Sequence, residues 1–168
     1  MKIKIQLIPL DVRAADRSLV SKEVAERYLK SEKYFELLET GAAIGGITHY
    51  DRYVREKDAK IGQRDQMFRS GNMTHNLTTL TIENGWLMGI SEIFDSRKFS
   101  ADIAENIKKV KGLLRSGVFV PISGSINANW SMSDEALNII EIQGYDFTWD
   151  PSWKGSRVVA ILEDDDDL

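Results

Sequence analysis

Cysteine is absent from this 168-residue chain, which removes a large block of chemistry. No disulfide framework, thiolate nucleophile or cysteine-held metal is possible, and a reducing cytosolic setting is the simplest one to expect. Histidine is almost as scarce, with His49 and His75 the only two. No His-x-x-x-His or comparable spacing exists, and Asp51 and Asp58 beside His49 do not supply one, so neither a metal nor another cofactor is expected. No apolar run approaches the roughly 18 residues that span a bilayer, so no membrane segment is expected. The first residues, Met1 to Pro9, alternate polar with apolar side chains and predict a strand in place of a signal peptide. An excess of positive charge is also missing. Net charge is −4, and Glu163 through Asp167 are all acidic, which leaves the remainder near neutral. Nucleic-acid binding, which needs a clustered basic face, finds no support.

What remains is ordinary globular material, 42% hydrophobic and 29% charged, long enough to bury a real core. The reading is one domain over residues 1–162, followed by an acidic disordered tail over 163–168. Ser21 is placed to cap a helix that runs to Gly41, with Ser31 dividing it in two. Residues 42–48 predict a small-residue strand that delivers His49. The polar stretch 50–72 predicts a long mobile loop. Asn84-Gly85, between Leu77-Thr78-Thr79-Leu80-Thr81-Ile82-Glu83 and Trp86-Leu87-Met88-Gly89-Ile90, predicts a tight hairpin. Ser100 fits the cap of a helix ending before Gly117, and residues 118–121 predict a strand leading into a turn that holds Ser123 and Ser125. Further strands are expected over 136–142, 145–149 and 157–162. Strands outnumber the two or three helices and no βαβ repeat is present. The expected class is α+β, built on a mixed, mostly antiparallel sheet or a barrel.

Three residue types in this chain can be combined into acyl-transfer chemistry. A serine hydroxyl needs an imidazole base, and the imidazole needs an orienting carboxylate. Ser125 follows a predicted strand in the glycine-containing Pro121-Ile122-Ser123-Gly124-Ser125, although Ser123 and Ser125 also read as plain turn serines. His49 follows Gly45 and Gly46, small residues that let other backbone approach closely. His75, just ahead of the hairpin, is the competing imidazole. Asp146 lies between Tyr145 and Phe147, where it is either an exposed polar residue or a buried carboxylate that requires a partner.

At these residues the sequence resembles the prohead maturation proteases of tailed phages, particularly the T-even type, a family similar in fold to herpesvirus assembly proteases. Gly45-Gly46-Ile47-Thr48-His49-Tyr50 lies on the family's histidine motif, with Gly46 and Tyr50 standing where the family has an acidic residue and a proline. Gly117-Val118-Phe119-Val120-Pro121 and the serine-containing stretch after it lie on the nucleophile motif, with Ile126-Asn127 where the family often has Arg-Gly. Asp146, Trp149, Pro151 and Ser152 match the third element. The resemblance implies a herpesvirus-protease-like fold and a serine endopeptidase with Ser125 as nucleophile, His49 as base and Asp146 as orienting acid. It also implies phage scaffold and capsid proteins as substrates, a homo-oligomer, and action inside the prohead within the host cytoplasm. The alternative is a non-catalytic structural or scaffold-interacting phage protein on the same fold. If His75 rather than Asp146 completes the group, the set is Ser-His-His.

Overall fold

The computed structural model describes residues 1–48, 71–133 and 135–165. His49 and nearly all of the expected 50–72 loop lie outside them. The described chain is α+β: three helices and seven strands, the strands almost entirely antiparallel.

Strand β1 (Lys2–Pro9) buries Ile3, Ile5 and Leu7 by simple alternation. A register shift between Gln6 and Ile8 then puts Leu7 and Ile8 both into the core. Helices α1 (Lys22–Leu29) and α2 (Glu32–Thr40) are separate because Ser31 closes one and caps the next. Its hydroxyl donates to the Tyr28 carbonyl and accepts from the Tyr34 N–H. Gly41, at φ 60°, ends α2 in the left-handed conformation that glycine adopts without penalty. Tyr28 and Tyr34 tie the helix pair to the sheet: Tyr28 accepts from the Ile142 N–H and Tyr34 from the Leu80 N–H.

After the two-residue β2 (Ile44–Gly45), strands β3 (His75–Glu83) and β4 (Trp86–Ile93) form the expected hairpin. Asn84 and Gly85 both have positive φ, 50° and 79°, as a turn that matches strand twist requires. Helix α3 (Ala101–Arg115) buries Ile107, Val110 and Leu114. Ser100 occupies its cap position without making a side-chain capping bond.

Here the structure departs from the expected elements. Residues 118–120 belong to no strand, and the strand β5 (Ile122–Ser131) starts beyond Pro121. Ser123 and Ser125 are therefore strand residues, not turn residues. Likewise 136–142 and 145–149 do not form two strands. One strand, β6 (Ala136–Phe147), runs through the intervening glycine, and Thr148 and Trp149 lie past its end. The last strand is β7 (Arg157–Glu163).

The five-stranded sheet has the order β2-β3-β4-β1-β7, and β5-β6 forms a separate pair. Two seams join them into a barrel-like ring. At one, Pro121 bridges Arg157 and the Val158 N–H donates to the Val120 carbonyl. At the other, Ile47 forms a parallel bridge with Phe147. Ile122, Ile142, Tyr145 and Phe147 join Leu7, Leu77 and Leu87 in one buried core.

The first acidic residues of the C-terminal run are paired with basic groups. Glu163 is the last residue of β7 and pairs with Lys2 at 2.8 Å. Asp164 contacts Arg115 at 2.7 Å, and Asp165 contacts the buried Lys111 at 3.0 Å. Only 166–168 of the expected tail lie outside the described residues. Charge pairing holds Asp164 and Asp165 against α3.

Candidate active site

The β5–β6 register sets the relation between two of the three candidate residues. Ser123 faces Asp146 directly, and Ser125 faces Gly144. Directly opposed residues share a face and residues two apart share a face. Ser123, Ser125 and Asp146 therefore point the same way, opposite to Tyr145 and Phe147. Asp146 is fully buried and Ser125 is 7% exposed. Asp146 is diagonal to Ser125, a relation that separates side chains by roughly 7–8 Å, against ~5 Å for the direct neighbour Ser123.

A buried carboxylate must be satisfied, and the Gly46 N–H donates to Asp146 Oδ1 at 3.0 Å. The same segment zips onto the end of β6: the Phe147 N–H donates to the Gly46 carbonyl and the Thr48 N–H to the Phe147 carbonyl. This approach explains the glycine pair. A Cβ on Gly45 would collide with the Tyr145 carbonyl and the His75 ring, and one on Gly46 would collide with Asn72. Asn72 clamps the segment from the other side, its amide accepting from the Ile47 N–H at 3.0 Å and donating to the Ile47 carbonyl at 2.7 Å. Thr48 then takes φ 66°, strained for a β-branched residue. His49 is the next residue in the sequence.

The second imidazole is His75. It is fully buried on β3, its ring stacked on Tyr145 at 4.2 Å and edge-on to Phe147 at 4.7 Å. Nε2 lies 3.0 Å from the Tyr145 carbonyl and Nδ1 2.8 Å from the Thr74 hydroxyl. A carbonyl only accepts, so Nε2 carries a proton toward Tyr145. The ring thus occupies the Tyr145–Phe147 face, with Asp146 on the other. Burial pushes the Tyr145 phenol well above its ordinary value, so it stays neutral.

Two features were not foreseen from sequence. The Asn72 clamp has no local signature. Gln143, whose Oε1 lies 3.3 Å from Ser125 Oγ, sits in a bulge for which Gly144 within a strand was the available signal. A mainly apolar cleft of roughly 290 Å³ adjoins the seam, lined by Ile47, Thr48, Val110, Leu113, Phe147 and Trp149 among others. Trp149 is 70% exposed at its rim. Among the described residues, no group of three His, Cys, Asp or Glu side chains is arranged to hold a metal ion.

No protein-family model matches the sequence, and no curated protein matches it. In three dimensions the chain is similar to the capsid assembly protease of bacteriophage T4. The match has a TM-score of 0.51 at 13% sequence identity, over 88% of this chain and 76% of that one. At that identity the likeness is one of fold. It agrees with the α+β architecture described above.

Proposed function

We propose that the chain is a serine endopeptidase of the phage prohead type, acting on scaffold and capsid proteins inside an assembling prohead. Ser125 Oγ attacks the scissile carbonyl carbon. His49 takes the hydroxyl proton and returns it to the leaving amine, and Asp146 orients the imidazole and stabilises its charged form. Water then attacks the acyl-enzyme by the same base and frees Ser125.

The observation that carries this reading is the diagonal relation of Ser125 to the buried Asp146. Two hydrogen bonds of ~2.9 Å each and the width of a ring separate nucleophile from carboxylate in a triad, which suits the diagonal spacing. The direct neighbour Ser123 is too close to Asp146 to admit a ring. The Gly46 bond to Asp146 adds support, because it fixes the carboxylate with the same backbone that leads to His49. The cleft beside Trp149 suits an extended apolar segment of a substrate. A non-catalytic structural protein on this fold is the second reading, favoured by the low exposure of Ser125.

Labelling the folded protein with a fluorophosphonate, followed by peptide mapping, tests the assignment. Label is expected on Ser125, lost in Ser125→Ala and kept in Ser123→Ala, with cleavage of scaffold protein following the same pattern. His49→Ala should lower turnover by several orders of magnitude. Label on Ser123, or none on any serine of the folded chain, would remove Ser125 from the role.

A further inference from the structure

We infer that Gln143 is a positioning residue for the Ser125 hydroxyl, an inference that rests on Ser125 being the nucleophile. Ser125 pairs with Gly144 and Ile126 with Ile142, so Gln143 is an extra residue with no partner of its own on β5. Plain alternation would turn Gln143 away from the face that carries Ser125 and Asp146. A β-bulge re-aims a side chain, and here the amide oxygen reaches to 3.3 Å from Ser125 Oγ. The distortion depends on glycine: Gly144 has φ 128°, and a Cβ there would press on the Ala43 carbonyl at 3.1 Å. An inserted residue and a glycine-only backbone conformation together deliver one amide to one hydroxyl.

A primary amide offers both an acceptor and donors. With its oxygen toward Ser125, Gln143 takes the hydroxyl hydrogen and fixes Oγ in one rotamer. Turned by half a revolution, it donates an N–H to Oγ and leaves the hydroxyl proton for the imidazole. Ser125 is nearly covered, so little water competes for this contact.

Rates and pH profiles of fluorophosphonate labelling, with kcat and KM on a peptide substrate, provide the test. Gln143→Leu, of similar volume and without hydrogen bonding, should slow labelling by roughly tenfold and lower kcat while KM holds, on the scale of one lost hydrogen bond. Gln143→Glu places a carboxylate near the imidazole, favours its charged form, and should move the acid limb of the profile up by about one unit. A purely structural role for Gln143 would not move that limb. Wild-type rates in Gln143→Leu together with an unmoved limb in Gln143→Glu would overturn the inference and leave Ser125 as nucleophile. If Gln143→Leu does not fold, the Gln143→Glu limb decides alone. Absence of label on Ser125 in the wild type would instead defeat the parent reading, and this inference with it.

Discussion

Replacing Asp146 separates its structural role from its chemical one. Asp146 is fully buried, and its Oδ1 accepts the Gly46 N–H at 3.0 Å. Asparagine keeps an oxygen for that N–H but loses the negative charge. Asp146→Asn should therefore fold with a melting temperature within a couple of degrees of wild type, since the hydrogen bond survives and a buried charge is removed. Turnover should fall on the order of 10⁴-fold, the scale set by losing the carboxylate of a Ser-His-Asp triad. Asp146→Ala removes the acceptor as well and leaves a buried N–H unsatisfied, at about 1–3 kcal/mol. For a domain of this size each kcal/mol moves the midpoint by about 2–4 °C, so the alanine variant should melt roughly 2–12 °C lower. Thermal unfolding followed by circular dichroism, beside cleavage kinetics, reads both effects. Wild-type turnover in Asp146→Asn would refute the orienting role. An unchanged melting temperature in Asp146→Ala would refute the claim that this carboxylate secures the Gly46 seam.

His75→Ala should destabilise by about 2–5 kcal/mol, because it empties a fully buried site and removes two hydrogen bonds and a ring stack; denaturant unfolding measures it, and a loss under ~1 kcal/mol would refute the core role. The Asp165 carboxyl is held below its ordinary value: burial opposes its ionisation, but hydrogen bonds from the Met1 ammonium and Lys111 outweigh that. Because the folded value is depressed, its stabilisation is complete above the ordinary carboxylate pKa of ~4 and is lost as pH falls through the folded value. The melting temperature of wild type should thus drop more steeply below about pH 4 than that of Asp165→Asn, and parallel curves would refute the strap between β7 and α3.

Much of the local structure was legible from the chain. Ser21, Ser31 and Gly41 mark helix ends because their groups act on backbone within four residues. Asn84-Gly85 sets a hairpin because its demand for positive φ is local. The alternation of Lys2 to Leu7 fixes which face of β1 is buried before any partner is chosen. The expected turn around Ser125 was wrong for the opposite reason. The glycine and serines of 121–125 have turn-like composition, but ten residues of β6 partners draw them into a ladder, and propensity gives way to pairing across some twenty residues of chain.

The amino-acid sequence by itself determined the class of the fold, most element boundaries and the pool of groups available for chemistry, since these follow from composition, periodicity and local capping. Tertiary structure alone decided which groups share a face. The β5–β6 register makes Asp146 diagonal to Ser125, and a one-residue shift would have sent it to the opposite face. Barrel closure put the Gly46 N–H on Asp146, a hydrogen bond between residues 100 positions apart. The same closure drew His75 into the stack with Tyr145 and Phe147. Such contacts carry no local pattern, because they depend on where distant backbone comes to rest.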